Sequence, residues 1–276
     1  LRPEADYCGN FVDKEPKLEL SFCAHNFGND FDNVKAGLKG IKEIGYEGTE
    51  FWQQFLLQTD VEKLADVTRE IGLKVVQICG YFKWTGTDEE WEESNGNAER
   101  LIGFSKKLGG PHIRVFTGKV GSEEATQEQW MNCVEGLRRA CAAAAPEGIC
   151  FTLENHRNVL HDTPDSALRL IKDVGCENLG LNFQMWPPFD MVETARKVFP
   201  HVFHMHISNR KDGKIWQIDD GEVDWRPVLL EMKKLGYKRF ASVEHAVQPA
   251  IDFAKRAYDY LAPIVYGEND ATGGKN

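Results

Sequence analysis

The chain has 276 residues, 42% apolar and 28% charged, a balance that excludes collagen-like, disordered and coiled-coil classes. Its 43 acidic and 33 basic side chains leave a formal charge of −10, which argues against a nucleic-acid partner, because a phosphate backbone is met by a basic surface. No apolar run approaches the roughly 18 residues of a membrane span, and no signal-like segment follows the N-terminus.

Hydrophobic periodicity alternates short strand patterns with longer helical ones. A strand over 18–25 precedes a helix over 31–44 that stops at Gly45. A strand at 46–51, a helix at 61–71 and a stop at Gly72 follow. The third strand covers 73–81, and its helix runs from about 97 to 108 and ends in Gly109 and Gly110. Between them the long, acidic and aromatic stretch from Lys83 to Gly96 reads as a solvated excursion or a lid. Strand 112–117 and helix 127–145 come next, then strand 150–155 and a helix opened by Thr163 and Pro164. The last units are strand 179–184 with helix 189–198, strand 202–208 with helix 224–235, and strand 239–245 with helix 249–261.

Eight strand–helix pairs, with glycine stops at Gly45, Gly72, Gly109, Gly175 and Gly236, predict a parallel sheet closed on itself. The expected fold is α/β, a single (β/α)8 TIM barrel over 1–276, with an N-terminal extension over 1–14 and a flexible tail over 267–276. A doubly wound open sheet is disfavoured because no Gly-rich phosphate loop follows the first strand. Seven cysteines without CxxC spacing, several in strand-like runs, read as buried reduced thiols and a cytoplasmic chain.

Chemistry in such a barrel sits at the C-terminal ends of the strands. The fifth strand ends Thr152-Leu-Glu154-Asn-His156, the sixth Asn182-Phe-Gln184, the seventh contains His204-Met-His206, and the eighth ends Ser242-Val-Glu244. Residues two apart share a face of a strand, so four neighbouring strands deliver polar groups to one rim. A lone Glu there could equally cap a helix, and a lone His could be a satisfied core residue. Together Glu154, Gln184, His206 and Glu244 form a mixed oxygen and nitrogen set that suits one divalent ion, Mn²⁺, Mg²⁺, Co²⁺ or Zn²⁺. Around them His156, Arg157, Asn182, His204, Arg210 and Trp186 are candidate substrate-binding residues. Phe27, Trp52, Trp84, Trp186 and Trp216 fall in rim loops, where rings can stack on a sugar, pack the loops or meet a second subunit in a homo-oligomer.

These stretches, with Leu179-Gly-Leu-Asn-Phe-Gln184, Gly221-Glu-Val-Asp224-Trp225 and Gly236-Tyr, resemble the sugar isomerase/epimerase superfamily with the xylose-isomerase-like barrel. The resemblance implies a metal held by Glu, Asp, His and Glu from strands five to eight, carried here by Glu154, position 184, His206 and Glu244. Position 184 departs from the pattern: Gln replaces the usual Asp and removes one negative charge from a site for a hard cation. The resemblance further implies an isomerase or epimerase acting on a small sugar or polyol through a metal-stabilised enediolate, with Glu154 and Glu244 as the catalytic pair. A lyase or dehydratase acting on a keto-sugar or keto-cyclitol, including 3-keto-glycoside elimination, is the alternative. A non-catalytic sugar-binding barrel is a third reading, motivated by Gln184.

Overall fold

The computed structural model describes residues 17–267, and the expected extension over 1–14 and most of the expected tail lie outside them. Eight parallel strands close a barrel in the order β1 (Glu19–Cys23), β10 (Phe240–Val243), β7 (Val202–Ile207), β6 (Leu179–Phe183), β5 (Cys150–Glu154), β4 (His112–Val115), β3 (Lys74–Cys79), β2 (Gly48–Trp52). The outer ring contains α1 (Phe31–Ile44), the short α2 (Gln53–Leu56), α3 (Val61–Ile71), α4 (Asp88–Leu108) and α5 (Gln127–Ala144). It continues with α6 (Pro164–Val174), α7 (Met191–Val198), α8 (Trp225–Lys234) and α9 (Ala250–Tyr266). Thus the barrel expected from the alternation is present.

Local chemistry accounts for the element ends. Thr163 caps α6 with Pro164 in the first turn, and Asp224 caps α8 by accepting from Arg226 N. The helix stops at Gly72 (φ 76°) and Gly175 (φ 70°) are left-handed, a conformation that costs a side-chain-bearing residue more than glycine. The clearest correction concerns Lys83 to Gly96. The helix begins at Asp88, nine residues earlier than expected, because Thr87 and Glu90 form a reciprocal capping box and Asp88, Glu89 and Glu90 face the positive helix end. Most of the expected excursion is therefore the first turns of α4. A small antiparallel hairpin, β8 (Arg210–Lys211) with β9 (Lys214–Ile215), interrupts the β7–α8 connection and was not anticipated. The last helix reaches Tyr266 with Pro263 inside it, beyond the expected end at 261.

Apolar residues facing the helices, among them Phe151, Leu153, Met205 and Ile207, are fully buried. The barrel interior is unusually polar. Ser21, Glu50, Gln77, Arg114, Thr152, Asn182, His204, His206 and Ser242 are all at most 1% exposed, where branched aliphatic side chains usually fill such a barrel. Buried polar groups are tolerated when bonded, and here they bond across the barrel: Thr152 Oγ1 on β5 donates to Gln77 Oε1 on β3 at 2.8 Å. Cys23, Cys79, Cys133 and Cys141 are free and buried, as expected, and Cys176 is free and half-buried. Among the described residues no helix is long and apolar enough to cross a membrane.

Candidate metal centre

Strand register assembles the site. Glu154 pairs with Asn182 across β5–β6, and His206 with Ser242 across β7–β10, so the strand ends open onto one mouth. There His206 Nδ1 lies 3.2 Å from Glu154 Oε2 and 3.5 Å from Glu244 Oε1. One ligand atom from each of Glu154, His206 and Glu244 falls within 4.8 Å of the others. The Nδ1 atom is buried yet makes no hydrogen bond of acceptable geometry. An unpaired buried nitrogen between two carboxylates costs stability unless a cation or a proton occupies the gap. Burial alone lowers the His206 pKa, but Glu50, Glu244 and Glu154 outweigh it and hold the imidazole well above its ordinary value. For Glu244, burial pushes the carboxyl up, while His206, His245 and Arg114 together more than reverse this and bring it down. A borderline ion with nitrogen and oxygen ligands fits this donor set.

The two carboxylates differ in their surroundings. Glu154 accepts from Gln184 Nε2 (2.9 Å) on Oε1 and from Asn182 Nδ2 (3.1 Å) on Oε2. The buried Arg114 Nε stands 3.2 Å from the same Oε2. Burial disfavours the Arg114 cation, but Glu154 keeps its pKa raised. The guanidinium also lies over the rings of Phe116 (4.2 Å) and Tyr81 (4.6 Å). Among the described residues, the ion-pair partners of Glu244 are His206 and, at 3.4 Å, His245 Nε2. His245 continues to His25, whose Nε2 is 3.3 Å from its Nδ1, and His25 stacks on Trp52 with centroids 3.9 Å apart.

Glu154, Asn182, Gln184, His206 and Glu244 thus come together, and His204 joins them from below through Glu50. Gln184 reaches the cluster by its amide nitrogen, donating to Glu154 and to Asn155 O (2.6 Å). Three other candidates stand apart. Arg157 is exposed, Arg210 is exposed and bonded to Gly213 O in its own hairpin, and Trp186 is buried in the core with Nε1 donating to Asp162 O. His156 is exposed, its ring 5.3 Å from Phe116 at the mouth. Of the rim aromatics, Trp84 is fully buried, Trp52 half-buried at the mouth and Trp216 exposed. Sequence reasoning missed Glu50, Gln77, Arg114, His25 and His245. The two-residue period applied to strands two to four would have flagged Glu50, Gln77 and Arg114 as interior polar residues.

Residues 38–263 match the xylose isomerase-like TIM barrel family. The chain is 24% identical over 202 residues to a 3-dehydroshikimate dehydratase of Bacillus anthracis, covering 70% of this chain and 72% of that one. Among solved structures, the probable 3-DHS dehydratase of Bacillus anthracis superposes with a TM-score of 0.78 at 23% identity, over 88% of this chain and 98% of that one. An L-ribulose 3-epimerase superposes with a TM-score of 0.77 at 15% identity, over 90% and 95% of the two chains. At these identities the superpositions establish the fold.

Proposed function

Because this chain belongs to the xylose isomerase-like TIM barrel family, we propose that it is a divalent-metal-dependent enzyme that removes a proton beside the carbonyl of a small sugar-like substrate. The observation that carries this reading is the buried, unpaired His206 Nδ1 facing Glu154 and Glu244. Glu154, His206 and Glu244 would hold the ion, with Gln184 beside them. When bound, such an ion supplies Lewis acidity that lowers the pKa of the C–H next to a chelated carbonyl.

Glu244 is the base. Glu154 is fixed in place by the amide hydrogens of Asn182 and Gln184 and by the Arg114 guanidinium beside it. Glu244 carries fewer hydrogen-bond donors and takes the proton onto its carboxylate, while Glu154 keeps its place. One base suits elimination: the electron pair left on carbon expels a hydroxyl or alkoxyl group β to the carbonyl, and the departing oxygen takes the proton that Glu244 removed, which restores the carboxylate. The similarity to a 3-dehydroshikimate dehydratase supports the same outcome. Isomerisation or epimerisation is the second reading, favoured by Glu154 Oε2, a second carboxylate oxygen 3.2 Å from His206 Nδ1, which could return the proton. The half-buried rings of Trp52, Tyr81 and Phe116 provide an apolar wall for the C–H face of a sugar.

Keto-sugars and keto-cyclitols incubated with Mn²⁺-replete protein in D₂O, followed by NMR, test this. An α,β-unsaturated product with released water or aglycone supports elimination, and deuterium in an intact sugar supports epimerisation. Binding of these compounds without any exchange of the α-proton contradicts both and leaves a sugar-binding barrel.

A further inference from the structure

We propose that Glu50 is the positioning residue of the metal centre: it fixes the His206 ring so that Nδ1 presents its lone pair to the gap between Glu154 and Glu244. The inference rests on the metal-dependent reading above and extends it to the opposite side of the barrel. Glu50 lies on β2, fully buried, with its carboxylate inside the barrel. A buried carboxylate is costly unless its oxygens are filled, and these are. His204 Nε2 lies 2.6 Å from Oε1, and His206 Nε2 lies 3.0 Å from Oε2. Gln77 Nε2 at 3.1 Å and Cys79 Sγ at 3.4 Å also donate to Oε2.

The consequence for His206 follows from the donor and acceptor inventory. An ionised carboxylate only accepts, so the 3.0 Å contact places a proton on His206 Nε2. In the neutral ring the lone pair then belongs to Nδ1, the atom aimed at Glu154 and Glu244. Gln77 Nε2 also stands 3.1 Å from His206 Nε2, with its carbonyl held by Thr152 Oγ1 at 2.8 Å, but its hydrogens have an acceptor in Glu50 Oε2 at 3.1 Å, so His206 Nε2 keeps its own proton for the same carboxylate oxygen. The amide hydrogens and the imidazole N–H therefore converge on one carboxylate oxygen. His204 takes the other oxygen and is steadied by Ser242 Oγ at 3.0 Å, which closes the layer beneath the mouth. A carboxylate behind a ligating imidazole orients the ring and raises its basicity toward the ion, an effect worth about 10–100-fold in metal affinity.

Calorimetric titration of metal-free wild-type and Glu50→Gln protein with Mn²⁺ tests the inference, with circular dichroism as the check on folding. The expected result is a rise in Kd of about 10–100-fold in the variant. Equal affinity in both proteins overturns the role of Glu50 while leaving the metal site standing. Absence of Mn²⁺ binding by the wild type overturns the metal-dependent reading and this inference with it. Long-range ¹H–¹⁵N spectra of the Zn²⁺-loaded wild type provide a measurement that needs no variant. The proton is expected on His206 Nε2 and the ion on Nδ1; the reverse assignment overturns the inference even if Glu50→Gln fails to fold.

Discussion

The polar column inside this barrel has a lower layer and an upper one, and they are built differently. In the lower layer Glu50 accepts from His204, His206, Gln77 and Cys79, and Gln77 is in turn held by Thr152. Ser21 and Ser242 share a hydrogen bond beside them. In the upper layer His206 Nδ1 is left without a good bond, and Glu244 keeps a largely free carboxylate. The two layers thus differ at their carboxylates: both oxygens of Glu50 are filled, although His204 Nδ1 beside it makes no hydrogen bond, whereas Glu244 has far fewer partners. A filled network rigidifies, whereas an incompletely filled one costs stability unless a ligand completes it. The lower layer holds geometry, and the upper layer is the place for an ion and a substrate.

The sharpest way to break this comparison is to remove the free carboxylate of the upper layer. Glu244→Gln is expected to lower turnover about 10²–10⁴-fold, the usual contribution of a general base, with circular dichroism unchanged. Steady-state rates that stay near wild type would remove Glu244 from the chemistry. Arg114→Met is next: it strips the buried partner from Glu154 and is expected to cost about 3–5 kcal/mol in denaturant unfolding, because a carboxylate remains buried. Adding Glu154→Gln should recover part of that loss; strict additivity of the two changes would show that the pair is not coupled. Gln184→Asp replaces a donor to Glu154 by a second negative charge. Metal-free protein should lose about 1–3 kcal/mol for the broken bond, and Mn²⁺ should restore the thermal midpoint more strongly than in wild type. Equal responses to Mn²⁺ would place residue 184 outside the ion's reach.

The smallest effect concerns pH. Burial lowers His161 from its ordinary 6.5 to about 4, so the unfolded chain binds its proton first as pH falls. The stability it contributes is complete above 6.5 and is lost as pH falls from there toward 4. Over one pH unit this amounts to about 1 kcal/mol. His161→Gln should flatten the denaturation midpoint between pH 6 and 5 by that amount, and an unchanged slope would mean that His161 titrates normally.

Much of the barrel was legible because glycine stops and helix caps are local signals. Thr163 with Pro164, and Gly72 and Gly175, each read correctly from a few residues. The start of α4 was misread although its capping box is equally local, because acidic residues and aromatic rings over 83–96 masked the Thr87–Glu90 pairing. At the site, doubled signals such as His204-Met-His206 and Glu154-Asn-His156 drew attention to strands five to eight. Glu50, Gln77 and Arg114 sit singly among apolar neighbours on β2, β3 and β4; the meaning of Glu50 and Gln77 appears only when closure brings them across the barrel to His204 and His206, and that of Arg114 when the β4–β5 pairing sets it beside Glu154. Spacing along one strand carries no information about what stands opposite. The amide nitrogen that Gln184 turns toward Glu154 likewise depends on the β5–β6 register, which sets Glu154 beside Asn182.

A crystal grown with Mn²⁺ and measured at the manganese absorption edge gives the most direct test of the central claim. The account predicts one strong anomalous peak bonded to Glu154, His206 Nδ1 and Glu244 at the barrel mouth. A mouth empty of anomalous signal, with the imidazolium of His206 bridging the two carboxylates at full Mn²⁺ saturation, would contradict it.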